Sequence, residues 1–293
     1  MRYEVRHLTR LDYGAPAANA RFNLRLKPAD WPGQTIQSQN MTFSPVPDVV
    51  AETVGPYCVN RTHLEFRAPV RFLEAESRFA VDVAARSGCD ETATVAQVRE
   101  QALAAVDISP LSPAPYLFTS RIVRIDETIG KWATGMIGDD EPILSVGQRL
   151  ANEIHAQFAY KPGATDSSTL PQEAFERREG VCQDFAHVMI AALRAHGIPA
   201  AYASGYLRTV PPPGRPRLIG ADAMHAWVNV WCGGEAGWIG IDPTNDCMVS
   251  EDHIQIGMGR DYADVSPIEG NFVGSAPQAM RVSVDVQPIP DEA

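Results

Sequence analysis

The chain has 293 residues, enough for two domains or one large one, and its 45% hydrophobic content argues against disorder along its length. Its 25 basic and 36 acidic residues leave a net charge of −11 with no basic stripe, which argues against nucleic-acid binding. No run approaches the ~18 apolar residues of a membrane span, and the opening MRYEVRHLTRLDY lacks the apolar centre of an export signal. The cysteines, Cys58, Cys89, Cys182, Cys232 and Cys247, are odd in number and sparse, which predicts free thiols in a reducing cytoplasm rather than a disulfide framework.

The first 85 or so residues alternate with a period of two. Tyr3, Val5 and His7 share one face, Phe22, Leu24 and Leu26 another, and Phe79, Val81 and Val83 a third. Pro and Gly punctuate these runs at Gly14, Pro16, Pro28, Pro32, Gly33, Pro45, Pro47, Gly55 and Pro56, as in an antiparallel sandwich or barrel. His7 and His63 read as ordinary strand residues. Residues 86–120 then change character, with Ser87, Gly88, Ser109, Pro110, Ser112, Pro113 and Pro115 around a short helix near 94–105. The boundary falls here, giving a β-rich domain over 1–105 and a second domain over 106–293.

From about 121 the pattern is mainly helical. Ile143, Val146, Leu150, Ile154 and Phe158 recur at three and four, as on a core-facing helix. A second helix is predicted from Thr169, with Gln172 as its capping-box partner, ending before Gly180. The next helix carries Phe185, Val188, Met189, Ala192 and Leu193 as an apolar stripe, and Gly197 and Pro199 stop it. Strands follow at 199–208, 222–232 and 236–242. The tail strand 280–286 has Met280, Val282, Val284 and Val286 on one face, and either sheet is open to it.

Cys182 opens that third helix, in "REGVCQDFAHVMIAALRAHGIPA". Gly180 allows a tight turn just before it. A helix mouth favours negative charge through its unpaired N–H groups and its dipole. There a thiol pKa of about 8.5 falls to somewhere within roughly 3.5–7.5, above all beside a histidine. Without a base, a cysteine in an apolar helix is simply a small packing residue. His187 is nearest in sequence, yet five helical residues turn it about 140° away from Cys182. His155, His196 and His253 read as solvated or capping side chains.

His225 differs. In "DAMHAWVNVW" it shares a strand face with Trp227, Asn229 and Trp231, and in "WIGIDPTND" Trp238, Gly240 and Asp242 share another. With Gly233-Gly234 as a two-residue hairpin turn, Asn229 opposes Trp238, Trp227 opposes Gly240, and His225 opposes Asp242. Opposed residues have Cβ atoms about 4.5–5.5 Å apart. A carboxylate on one imidazole nitrogen fixes the tautomer and steadies the imidazolium. If the helix mouth packs against that face, the other nitrogen meets Cys182, completing a Cys–His–Asp triad.

Together, "GVCQDFAHVMIAALRAHGIPAAYASGYL", "HAWVNVW" and "GWIGIDPTND" resemble the transglutaminase-like superfamily, a papain-related group of cysteine acyltransferases and hydrolases. Cys182 matches the family nucleophile, His225 the base and Asp242 the orienting carboxylate. The β-rich start is similar to the N-terminal region of bacterial transglutaminase-like proteins, and "GRDYADVSPIEG" is similar to a segment downstream in the same proteins. The resemblance implies an α+β chain: an N-terminal antiparallel β-sandwich-like domain, then a papain-like core with a thiol-bearing helix packed on an antiparallel sheet. It also implies attack of the Cys182 thiolate on an amide of a protein or peptide substrate, an acyl-thioester, and release to water or a second amine. The backbone N–H of Cys182 is one expected oxyanion donor and Tyr160 the candidate for a second. Gln183 and Asp184 are assigned to support of the helix start, and Trp227 to packing beside the triad.

The competing reading is a catalytically silent binding module that uses the β-rich domain for protein contacts. No cofactor is expected. Cys182, His187, Cys232 and Cys247 lack zinc-type spacing, and Asp242, Asn245, Asp246, Glu251 and Asp252 fail the calcium-loop pattern. Asp139, Asp140 and Glu141 read as helix-start or surface charge. Oligomeric state is open.

Overall fold

A single strand serves two sheets at the start of the computed structural model, which describes residues 1–85, 92–209, 222–274 and 277–289. This strand, β1 (Arg2–Leu24), is followed by β2 (Gln34–Ser44), β3 (Val49–Val54), β4 (Asn60–Phe66) and β5 (Val70–Val83). Then come α1 (Val95–Leu103), α2 (Glu127–Thr134), α3 (Ile143–Gln157), β6 (Ala159–Tyr160), α4 (Pro171–Arg177), β7 (Glu179–Gly180) and α5 (Cys182–Ala195). The order closes with β8 (Ala200–Leu207), β9 (Met224–Trp231), β10 (Trp238–Asp242), β11 (Cys247–Met248), β12 (His253–Gly259), α6 (Tyr262–Val265), β13 (Ile268–Val273) and β14 (Gln278–Ile289). The architecture is α+β.

The expected alternation along β1 is present: Tyr3, Val5, His7, Thr9, Leu11 and Tyr13 are all buried. Its first half pairs with β5 and β14, its second half with β4 and β13. The change of partners coincides with register shifts after Asp12 and Ala18, and bulges of this kind bend a strand from one sheet into another. Leu11, Tyr13, Phe22, Leu64, Phe66 and Leu73 close one apolar cluster between the two halves, which makes the region sandwich-like. His7 and His63 are strand residues; His7 sits buried between Tyr206 Oη and Thr9 Oγ1, each at 2.8 Å. The tail strand joins this domain, as β14 beside β1.

The core sheet has the order β11-β10-β9-β8-β12, antiparallel throughout. Helix α5 lies on one face, buried from Asp184 to Arg194. Each large apolar side chain fully buried there contributes about 1.5–3 kcal/mol. Its C-terminus is a Schellman motif: Gly197, at φ +69°, donates to Arg194 O, and Ile198 to Leu193 O, each at 3.0 Å. Helix α1 falls in the 1–105 half of the expected division. It buries Val95, Val98 and Ala102 among residues of α3 and α5, starting from a complete Thr94–Gln97 capping box. Tyr116, in the stretch read as linker-like, is fully buried and meets Trp238 edge-on at 4.9 Å. Ser87, Gly88 and Cys89 lie outside the described residues.

One expected helix start is corrected. The Thr169–Gln172 capping box does not form. Helix α4 starts at Pro171, a residue pre-set for the first helical position, and Thr169 Oγ1 instead accepts from Asp166 N at 3.0 Å. No helix among the described residues is long and apolar enough to cross a membrane.

Candidate active site

Gly180 and Asp184 together shape the helix mouth. Asp184 Oδ2 accepts from Val181 N at 2.8 Å and from Thr165 Oγ1 at 2.7 Å, which caps the start of α5. A Cβ on residue 180 would meet the Asp184 side chain at 2.6–2.9 Å, so only glycine fits under the cap. Burial raises the Asp184 pKa, and these hydrogen bonds only partly offset it. Cys182 is thereby held as the first helical residue and half-buried, whereas Cys58 and Cys232 are buried and Cys247 is exposed.

His225 stands at the second residue of β9, its side chain 11% exposed. Its Nε2 donates to Asp242 Oδ2 at 2.7 Å, and the Cys182 thiol lies near enough to act on the charge of the ring. With Nε2 protonated, Nδ1 is the nitrogen left to accept a proton. Burial opposes charge on the ring, but the hydrogen bonds and charges of Asp242 and Cys182 outweigh it and raise the pKa to about 10. Asp242 is fully buried and held well below the carboxylate range: burial works against its charge, and hydrogen bonds from His225, His253 and Asn245 overcome it.

The hairpin differs from its expected form. Trp231 pairs with Trp238, Asn229 with Gly240 and Val228 with Ile241, so the loop spans 232–237. The glycines in left-handed conformation are Gly233 (φ 99°) and Gly237 (φ 63°), not an adjacent Gly-Gly pair. The register slides by two, which preserves the face. His225 and Asp242 become diagonal neighbours, a separation their side chains span.

Two partners of Asp242 escaped the sequence reading. His253, read as a loop residue, opens β12; it is buried, its Nδ1 accepts from Ser250 N at 3.3 Å, and its Nε2 donates to Asp242 Oδ2 at 3.3 Å. Asn245 donates through Nδ2 to the same oxygen at 2.6 Å, while Asp242 Oδ1 accepts from the backbone N–H groups of Thr244 and Asn245 at 2.9 and 3.2 Å. The "DPTND" spacing carried an Asx-turn signal for this loop, and "HIQIG" carried strand alternation for His253. His225, Asp242 and His253 also place their ligand atoms within 4.8 Å of one another. Both rings direct Nε2 at one oxygen, the pattern of a hydrogen-bonded network.

Trp227 packs beside this network, fully buried, with its ring edge-on to His253 at 5.4 Å. Gly205 makes room for it, since a Cβ there would lie 2.5 Å from the indole and 2.1 Å from Ile254 O. Tyr160 is 56% exposed and meets Phe185 edge-on at 6.3 Å; burial and the neighbouring Cys182 raise its phenol pKa. Gln183 is half-buried in the first turn of α5. His187 faces away from the thiol, as the helical spacing predicts: it is buried, accepts from Tyr262 N at 3.2 Å, and burial lowers its pKa to about 4. His155 and His196 contact the carbonyls of Thr244 and Gly130, each at 2.9 Å.

Comparisons with known proteins identify the family and the fold. The transglutaminase-like superfamily profile matches residues 130–243, and that of the bacterial transglutaminase-like N-terminal region matches residues 3–82. An uncharacterized protein of Mycobacterium tuberculosis is 34% identical over 296 residues, covering all of this chain and 94% of that one. A protein-glutamine gamma-glutamyltransferase of Pseudomonas aeruginosa is 33% identical over 140 residues, 47% of this chain and 20% of its own length. A Cytophaga hutchinsonii protein provisionally described as a cysteine protease shares the fold, with a TM-score of 0.77 at 22% identity over all of this chain and 92% of that one.

Proposed function

The chain belongs to the transglutaminase-like superfamily, and on that premise we propose that it transfers or hydrolyses acyl groups at an amide through Cys182, His225 and Asp242. The observation that carries this reading is the convergence of three side chains distant in sequence: a thiol at a helix mouth, an imidazole, and a buried carboxylate that accepts from that imidazole at 2.7 Å.

In the proposed reaction His225 takes the thiol proton on Nδ1, and the Cys182 sulfur attacks the carbonyl carbon of a carboxamide or peptide bond. The carbonyl oxygen becomes an oxyanion. The backbone N–H of Cys182, the first of the helix, is one donor for that anion, with the dipole behind it. Tyr160 supplies a second donor, its raised pKa keeping the phenol protonated. When the tetrahedral centre collapses, the C–N bond breaks, the departing amine collects the proton from Nδ1, and an acyl-thioester remains. Water or a second amine then attacks the thioester, losing a proton to Nδ1, and the thiolate leaves. Asp242 keeps the Nε2–H tautomer throughout. The substrate class is a protein or peptide carrying a carboxamide or amide.

Thiol alkylation near neutral pH, mapped by mass spectrometry, tests the nucleophile. Cys182 should label well ahead of the other four cysteines, and the advantage should vanish in His225→Ala. Equal labelling in both proteins would sink the reading. Incorporation of a labelled primary amine, weighed against release of free acid, separates transfer from hydrolysis.

A further inference from the structure

One oxygen of Asp242 takes two imidazoles. Oδ2 accepts from His225 Nε2 at 2.7 Å and from His253 Nε2 at 3.3 Å, with Asn245 Nδ2 as a third donor at 2.6 Å. The acyl-transfer steps above use only the first ring. The second is buried and held from behind: Ser250 N donates to its Nδ1 at 3.3 Å, which leaves the ring's proton on Nε2, toward the carboxylate. Trp227 packs edge-on against it at 5.4 Å. The centroids of the two imidazoles are 6.2 Å apart, and Asp242 Oδ2 is the atom that joins them.

The carboxylate does not need His253 for its orientation. Thr244 N and Asn245 N hold Oδ1 at 2.9 and 3.2 Å, and Asn245 Nδ2 holds Oδ2. What the second ring adds is a claim on the charge of the oxygen that His225 uses. A donor to a carboxylate stabilises the anion and weakens its pull on any other proton. A hydroxyl or amide in that place could rotate away, whereas a ring engaged at both nitrogens keeps its N–H on the oxygen.

We propose, on the premise of the triad reading, that His253 is a positioning residue that acts through Asp242 Oδ2: it draws off part of the carboxylate's charge, so that the proton His225 takes up on Nδ1 stays loose enough to pass to the departing amine. A general acid works best with a pKa near the working pH. His225 stands at about 10, burial opposing the charge and Asp242 and Cys182 outweighing burial. A carboxylate with one donor fewer would hold that proton more tightly still. The other titratable groups that act on this cluster are Cys182, beside His225, Cys247, beside Asp242, and Asp252, beside His253. Asp252 is itself engaged by Arg208 Nε at 2.7 Å and Tyr3 Oη at 2.9 Å.

The test uses the full chain over about pH 5 to 11 and two readouts. One is the rate of Cys182 alkylation by iodoacetamide, an uncharged reagent. The other is the titration of the His225 ring nitrogens by NMR of isotopically labelled histidine, assigned by their loss in His225→Ala. His253→Phe keeps a ring against Trp227 and has no N–H. It should raise the midpoint of the His225 titration by about half a pH unit to one pH unit, the size of one hydrogen bond, and the alkaline limb of the alkylation profile should follow. His253→Gln returns an N–H to the oxygen and should restore both. A residue that merely filled space would move neither. Thermal melts establish folding; if His253→Phe does not fold, His253→Met, also without a donor, is read in its place. An unmoved or lowered midpoint in the folded donor-free variant overturns the proposal, and so does a His253→Gln that behaves like it. If Cys182 alkylation in the parent matches that in His225→Ala, the triad reading falls and the proposal falls with it, whatever the ring titration shows.

Discussion

The outward face of the core sheet carries two kinds of buried polar group, a few residues apart. Asp242 accepts from five donors, on His225, His253, Thr244 and twice on Asn245, and no lone-pair direction is left idle. Trp227, on the neighbouring strand β9, and Gln255, on β12 at the far edge of the sheet, keep donors with no protein partner. The first arrangement holds a charge in the interior, where a missing partner is costly. The second leaves neutral groups short of partners, which the interior tolerates at a smaller cost. Saturation marks the charge that the protein must hold in its interior, and the deficit falls on groups that carry none.

Removing the thiol should have the largest effect while leaving both arrangements untouched. Cys182→Ala is expected to lower turnover by at least about 10³-fold, with an unchanged circular-dichroism melt. Residual activity near the parent level would detach the triad from the chemistry. Asp242→Ala strikes the saturated cluster and strands donors that converge on one point; urea unfolding should record a loss of about 3–5 kcal/mol. The double variant Asn229→Leu, Gln255→Met removes a neutral hydrogen-bonded amide pair, and with it the unpaired Gln255 donor, with little change in shape. It should move stability by no more than about 1 kcal/mol. If it cost as much as Asp242→Ala, the two sets of groups would be doing the same job and the contrast would fail.

Stability against pH sharpens the charged side. The His225 pKa is raised from 6.5 to about 10 in the folded chain. Its contribution is therefore fully present below the unfolded pKa of 6.5 and is lost as pH rises through about 10. Asp242 is depressed, so its contribution is present above the ordinary carboxylate range and disappears in acid. Denaturation curves of the parent and His225→Ala should separate at neutral pH and draw together on the alkaline side. Curves that run parallel from pH 6 to 11 would mean the ring carries no linked charge. Thr94→Ala, which opens an ordinary capping box, gives the yardstick for a solvent-side hydrogen bond. A loss of about 0.5–2 kcal/mol with unchanged activity is expected.

Where the sequence reading succeeded, a local rule was at work. Period-two alternation placed Tyr3, Val5 and His7 inward, and the apolar stripe with Gly197 delimited α5. The parity of a strand put His225 and Asp242 on one face even though the loop between them is longer than Gly233-Gly234 suggested. Where it failed, the partner lay far away. Thr169 lost its cap to Pro171. His253 looked like a loop residue because nothing near it in sequence announces that Asp242 lies across the sheet. Arg194, buried in an apolar helix, makes sense only beside the carbonyls of Phe118, Ala200 and Arg260 that it satisfies.

By itself, then, the sequence nominated Cys182, His225 and Asp242 and set which face each takes, because helical and strand periods are properties of neighbouring residues. Tertiary structure decided that the ring and the carboxylate meet, that β14 returns to the first domain, and that four tryptophans line one space. Those outcomes depend on how separate apolar faces pack together, and packing joins residues whose positions along the chain say nothing of one another.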